Sequence, residues 1–288
     1  MRNYFFSLAF LSFITVSAQP PVAYNIAYSN KKGTCVYSFA TKKEKLVMKA
    51  ASDPSISADG LKIAYTMNTK NGGRQIAVKE INSGKNCIFN TGNNNSYGPV
   101  WSPDGQWIAY NSFDGNTWSI AVMSKDGDKP HVVTQNIPKG LGCYSPMWSA
   151  DSKKLVVQDM SFVYILSLDG RITKKIAIKK LGNENGISST SRFILTADEK
   201  FLVFDLSVQE PGFEEPPGAI FIHNLETGAT SRISPKGIYC FQISLVGESI
   251  FFSGSKPRQK DPDICSIGID GKGMKTELKS CWDYSVRK

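Results

Sequence analysis

The sequence has 288 residues, 41% of them hydrophobic, 11% aromatic and 20% charged, a balance that excludes an intrinsically disordered chain and supports a full hydrophobic core. Its formal net charge is +9, from 34 Lys and Arg against 25 Asp and Glu. The lysines lie in scattered runs, such as Lys42, Lys43 and Lys45 or Lys174, Lys175, Lys179 and Lys180, with no recognition motif beside them, so nucleic acid is not expected as a partner.

In chain order, the first feature is a leader. Arg2 gives a positive start, residues 4–16 form an apolar run, and Val16-Ser17-Ala18 is a small-residue cleavage site before Gln19. The run is shorter than the roughly 20 residues of a spanning helix. The sequence therefore predicts a signal peptide over residues 1–18, a single exported domain over 19–288, and no transmembrane anchor once the leader is removed. A periplasmic or secreted location follows, and removal of Arg2 lowers the positive charge by one.

The domain is a repeat. The alternating segments "NIAYS" (at Asn25), "KIAYT" (Lys62), "WIAYN" (Trp107), "KLVVQ" (Lys154), "FLVFD" (Phe201) and "SIFFS" (Ser249) are separated by 37, 45, 47, 47 and 48 residues. Five are preceded by a first strand and a turn: "SISADG", "VWSPDG", "MWSADS", "ILTADE" and "ISLVGE". Asp-Gly suits such a turn, because Gly accepts positive φ and Asp bonds its own local backbone. Third strands follow, such as "SIAVMSKDG", "VYILSLDG", "AIFIHNLETG" and "DICSIGIDG", and then more polar fourth strands, "NCIFNTG", "HVVTQN", "ITKKIAI", "TSRISP" and "KTELKS". Four short strands in about 45 residues, with almost no helical periodicity, predict the blade of an all-β propeller. The first copy lacks its own first strand, while Trp282 to Val286 stand beyond the last fourth strand. Pairing these N- and C-terminal segments predicts a closed, six-bladed β-propeller of four-stranded antiparallel blades and removes two open edges.

The unit "PVWSPDGQWIAY" followed by "SIAVMSKDG" resembles the WD-type repeat of Tol-family periplasmic proteins, which also occurs in propellers attached to prolyl oligopeptidase-like peptidases. The resemblance covers the exported domain; it is strong at Pro99, fair at Pro54 and Pro146, and weak in the last two units. It implies the propeller fold and, by analogy with the way a Tol-family propeller receives its partner, binding of an envelope protein or peptide. The α/β domain of the familiar Tol protein and the peptidase domain of the oligopeptidases have no counterpart in the repeat, so their roles do not transfer.

In a blade with strands A to D, the loops leading into A and the B–C loops share one face, and the A–B turns share the other. The first face is expected to carry partner-binding residues: Tyr97, Tyr144, Arg192, Tyr239, Trp282 and Tyr284 from the loops into A, and Phe113, Trp118, Phe162 and Phe213 from the B–C loops. Tyr and Trp offer large amphipathic contact area, and irregular loops on a rigid scaffold are where binding resides. For Tyr97, Tyr144 and Tyr239, packing between blades competes with this reading; Trp101 and Trp148 are expected to pack. Phe213, among Glu210, Glu214 and Glu215, has no sequence neighbour that would bury it.

No GxSxG elbow, HExxH or phosphate-cradling loop is present, so no catalytic residue is assigned and no cofactor is expected. Two His without companion ligands and the lack of a CxxC pair predict no metal site, and "KDGDKP" at Lys125 reads as a tight turn. Six Cys allow many pairings, among which Cys240 and Cys281, leading into adjacent blades, are candidates for a bridge. The expected role is a monomeric protein- or peptide-binding scaffold. Two alternatives stay open: a polysaccharide lyase or hydrolase, with a glycan on the aromatic ring and carboxylates drawn from Asp53, Asp159, Asp205 or Asp283, and a small-ligand sensor with Ser57, Ser102, Ser149, Thr196 and Ser244 around the bore.

Overall fold

A computed structural model describes residues 23–49, 51–138, 140, 142–182 and 186–287. The predicted signal peptide lies outside the described residues. Blade 1 opens with β1 (Ile26–Asn30), β2 (Gly33–Ser38) and β3 (Lys43–Met48). Blade 2 contains β4 (Ser52–Ile56), β5 (Lys62–Asn68), β6 (Arg74–Glu80) and β7 (Asn86–Ile88). Blade 3 contains β8 (Ser96–Trp101), β9 (Trp107–Phe113), β10 (Trp118–Ser124) and β11 (His131–Val132). Blade 4 contains β12 (Tyr144–Trp148), β13 (Lys154–Gln158), β14 (Phe162–Ser167) and β15 (Ile172–Ala177). Blade 5 contains β16 (Phe193–Leu195), β17 (Phe201–Ser207), β18 (Gly218–Asn224) and β19 (Thr230–Arg232). Blade 6 contains β20 (Tyr239–Val246), β21 (Ser249–Ser255), β22 (Asp263–Gly268) and β23 (Lys275–Leu278). The last strand, β24 (Trp282–Val286), returns to blade 1 and pairs antiparallel with β1, Ile26 facing Val286 and Ala27 facing Ser285. The result is six four-stranded antiparallel sheets in a closed ring, as the repeat predicts.

The core lies between blades. Each middle strand presents one apolar face to the preceding blade and the other to the next, so B and C strands read as near-continuous buried runs. Trp101 and Trp148 are 7% and 6% exposed and fill the seams between blades 2 and 3 and blades 3 and 4. Trp148 Nε1 also donates to the carbonyl of Val100 in the neighbouring blade at 2.9 Å. Serine hydroxyls repeat this clamp: Ser285 Oγ accepts the Ile56 N–H (2.7 Å) and Ser55 Oγ accepts the Trp101 N–H (3.0 Å).

The A–B turns follow one chemistry. Ser57, Ser102, Ser149 and Thr196 donate to Asp59, Asp104, Asp151 and Asp198 at 2.5–2.6 Å. These hydroxyls are therefore committed to the turns; of the five expected around the bore, Ser102 and Ser244 line the channel cavities, and Ser57, Ser149 and Thr196 do not. Ser244 is not the equivalent of the other four. Leu245 faces Ile250 as Trp101 faces Ile108, which puts Val246 at the position of Ser102. The fourth position of the turn is left-handed, at φ values of 71° for Gly60, 70° for Gly105, 62° for Ser152 and 57° for Glu199. Only the first two meet that demand with Gly.

All six cysteines are free thiols. The candidate bridge fails because Cys240 and Cys281 lie in different clusters: Cys240 packs near Cys265 between blades 5 and 6, and Cys281 near Cys35 between blades 6 and 1. Burial pushes the thiols of Cys143, Cys240 and Cys281 up to about 12, so each is an inert apolar filler.

Candidate binding face at the channel mouth

Five of the six A strands break their ladder at one place, and β16 pairs in continuous register. The register slips between Ser52 and Ser55, between Tyr97 and Val100, between Tyr144 and Met147, and between Phe241 and Ser244, with a further slip where β24 meets β1. At each bulge one residue is left-handed: Asp53, Gly98, Ser145, Gln242 and Asp283, with φ between 49° and 64°. Pro54, Pro99 and Pro146 follow three of them, tolerable because strand A is an edge strand and a bulge leaves no ladder bond to donate. Arg192, just before β16, holds the sixth position by the same register, since Leu195 faces Leu202. Six blades thus deliver Asp283, Asp53, Gly98, Ser145, Arg192 and Gln242, in ring order, to one mouth of the axial channel. All six line a cavity of about 250 Å³ there.

The acidic side of this mouth is wired across three blades. The Gly98 N–H donates to Thr66 Oγ1 (2.9 Å), the Thr66 hydroxyl donates to Asp53 Oδ2 (2.6 Å), and the Asp53 N–H donates to Asp283 Oδ2 (2.8 Å). Burial, and then the proximity of Asp53, pushes the Asp283 carboxyl up to about 6. Across the ring, the Arg192 N–H donates to Asp205 Oδ1 (2.9 Å), while its guanidinium reaches the Ile243 carbonyl (3.2 Å). Burial pushes Asp205 up to about 7 against the pull of Arg192. Beneath the mouth an apolar belt of Ile56, Trp101, Trp148, Ile194, Leu245 and Val286 lines the bore, shared with a second cavity of about 420 Å³ on the turn face beside Arg287.

The ten predicted contact residues separate into distinct groups. Tyr97, Trp118 and Phe113 form a ledge: the Tyr97 ring meets Trp118 edge-on at 5.1 Å, and Phe113 lies 4.8 Å from Trp118. Arg74, which sequence reasoning missed, lays its guanidinium 4.1 Å from the Tyr97 ring centre and 5.4 Å from that of Trp118. Tyr144 adjoins this ledge at Gly142, where an added Cβ would stand 2.8 Å from Trp118 Cβ and 3.1 Å from the Tyr144 hydroxyl. Phe162 stands apart, capped by Lys175 Nζ at 3.8 Å. Phe213 is half-buried after all, because the Tyr239 ring packs edge-on against it at 4.7 Å. Its loop is pinned by Glu210, which pairs with Arg232 and accepts the Gly237 N–H at 2.9 Å. Trp282 is half-buried in β24.

Of the ten, Tyr97, Arg192 and Tyr284 line the mouth cavity, but Tyr284 is only 2% exposed. Its ring fills the seam between blades 6 and 1, so it forms floor and offers no surface for an external contact. The sequence offered Asp53 and Asp283 as carboxylates without a spacing. The signal that unites them is position, three residues before the Trp of each "WS" or its equivalent. Among the described residues, no group of three or more His, Cys, Asp or Glu could hold a metal ion, and none of their helices is long and apolar enough to cross a membrane.

No protein-family model matches this sequence. A segment of 114 residues, 38% of this chain, is 29% identical to an uncharacterized peptidase, YuxL, of Bacillus subtilis, and covers 17% of that protein's length. Among solved structures, TolB from Acinetobacter baumannii superposes with a TM-score of 0.64 at 15% identity, over 92% of this chain and 67% of that one. A putative TolB from Agrobacterium tumefaciens gives 0.61 at 15% identity, over 89% of each chain. The fold is that of the Tol-type propellers.

Proposed function

We propose that this chain is an exported, monomeric propeller that binds a protein or peptide partner in the cell envelope, periplasmic or secreted, through the mouth face. The observation that carries the reading is the ledge of Phe113, Trp118, Tyr97 and Arg74 beside a charged, concave mouth. Half-buried aromatic and Arg side chains around a depression are the make-up of interface hot spots. The Tol-type fold adds an analogy with propellers that receive a partner in the cell envelope, and fold alone does not fix function. The test is capture of a partner from envelope extract, followed by titration of that partner, purified, against wild type and Trp118→Ala. An affinity at least about tenfold weaker for the variant, at unchanged melting temperature, supports the reading. Equal affinities contradict it.

The convergence of Asp53 and Asp283 favours a second reading, a lyase or hydrolase acting on a polysaccharide, because paired carboxyls can divide acid and base roles. Against it, Asp53 is tied down by Thr66, and Asp283 by the Asp53 backbone. Release of shortened oligosaccharides by wild type but not by Asp283→Asn would establish it; an intact polymer after prolonged incubation would dismiss it.

A further inference from the structure

We propose that the mouth is a receptor for the free N-terminus of a peptide whose first side chain is apolar, with the α-ammonium held between Asp53 and Asp283 and the side chain lowered onto the Trp101–Trp148 belt. This deepens the partner-binding reading and rests on it.

Charge comes first. Two carboxyls, Asp53 and Asp283, meet on one side of the mouth cavity, while the Arg192 guanidinium across the ring donates to the Ile243 carbonyl and forms no ion pair with either. Buried carboxylates require compensation by a cation or by protons. The raised value of Asp283 is the proton solution adopted in the absence of a partner, and an arriving ammonium supplies the missing charge directly. Its three N–H donors need acceptors, and the cavity offers them. Asn111, 4% exposed, lines the cavity with Oδ1 lacking any hydrogen-bond partner. A donor entering the mouth would remove the cost of leaving this buried oxygen unpaired.

Shape selects the rest of the ligand. Blade 3 contributes Gly98, at φ 64°, where any Cβ would stand 2.9 Å from the Asn111 amide, so that side of the mouth has no side chain in the way. Directly below, Ile56, Trp101, Trp148, Ile194, Leu245 and Val286 provide an apolar seat. Carboxylates at the rim and apolar walls beneath fit a molecule with an ammonium and an apolar group one carbon apart. A lysine side chain presents the reverse order, its ammonium at the tip of an apolar stem. The peptide then leaves over the Tyr97 ledge.

The test uses the full chain and four probes, read by titration calorimetry: the peptide amide Phe-Ser-Ala-Gly-NH2, its N-acetylated form, Gly-Ser-Ala-Gly-NH2, and phenethylamine. The account expects the free Phe peptide to bind, acetylation to weaken it at least about tenfold, and the Gly peptide to be weaker as well. Asp283→Asn and Asp53→Asn should each remove most of the preference for the free over the acetylated form; acetylation of the probe carries the test even if a variant folds poorly. Equal affinity for free and acetylated peptides, or no binding by any probe, overturns the proposal. Phenethylamine binding as tightly as the Phe peptide overturns the peptide assignment in favour of a small amine. If acetylation has no effect while a captured partner still depends on Trp118, the N-terminal receptor fails and the scaffold reading stands.

Discussion

The two ends of the channel are built from the same repeat and behave differently. At the turn face, Ser/Thr-x-Asp turns recur with hydroxyl–carboxylate bonds of 2.5–2.6 Å in blades 2 to 5, and Ala58, Pro103, Ala150 and Ala197 from these turns line the cavity between them. There Arg287 donates from Nε to the Tyr24 carbonyl at 2.7 Å and from Nη1 to that of Ala58, clasping the two chain ends. At the mouth face the equivalent positions have diverged into Asp, Gly, Ser, Arg and Gln, five residues are left-handed, and buried carboxyls titrate high. Regularity marks the end that holds the ring together. Divergence marks the end that we propose to be fitted to a ligand.

The largest effect should come from breaking the turn-face clasp and the closing strand together. Deleting residues 281–288 exposes the edge of β1 and opens the ring, and we expect the melting temperature to fall by about 10 °C or more; an unchanged value would refute closure as a source of stability. Trp148→Ala comes next. It empties a seam between blades and removes the bond to Val100, at a cost of about 3–5 kcal/mol by urea denaturation. Trp118→Ala, at the mouth, should leave the urea midpoint almost unmoved.

The architecture was legible because its physics is local. Period-two strands, Asp-Gly turns and an unpaired first segment are enough to place the six blades and the closing strand. The mouth was legible only in part. Tyr97, Trp118 and Phe113 could be named, but their assembly around Arg74 depends on loop geometry that periodicity does not carry. Tyr284 has the alternation of a strand residue, and only the seam between blades 6 and 1 decides that it is buried. Asp53 and Asp283 are 230 residues apart, and ring closure makes them neighbours. Ser244 falls outside the turn series because blade 6 uses a shorter turn, and a change of loop length shifts a strand's register without altering its composition.

A smaller effect sharpens the contrast in electrostatics. Asp205 and Asp283 titrate at about 7 and about 6, above the ordinary carboxylate range, so the folded chain binds protons that the unfolded chain releases from about pH 4 upward. Their contribution to stability is full below about pH 4 and is lost as the pH rises through 6 to 7. Asp205→Asn keeps the acceptor for the Arg192 N–H and should flatten this decline. The variant should gain on the order of 2 kcal/mol at pH 8 and nothing at pH 4; parallel pH profiles for variant and wild type would contradict the assignment. The smallest effect tests the turn face. Gly105→Ala places a Cβ at φ 70° and should cost about 1 kcal/mol, whereas Glu199→Gly, at φ 57°, should gain about 0.5 kcal/mol. Shifts of the opposite sign would remove the left-handed demand as the reason for Gly in these turns.

The most direct test of the central claim is hydrogen–deuterium exchange of the full chain, alone and saturated with its captured envelope partner. The account predicts new protection in the loops around the mouth, residues 68–74, 113–118 and 207–218, with the A–B turns at 57–61, 102–106, 149–153 and 196–200 unchanged. Protection confined to those turns would place the partner on the opposite face and contradict it.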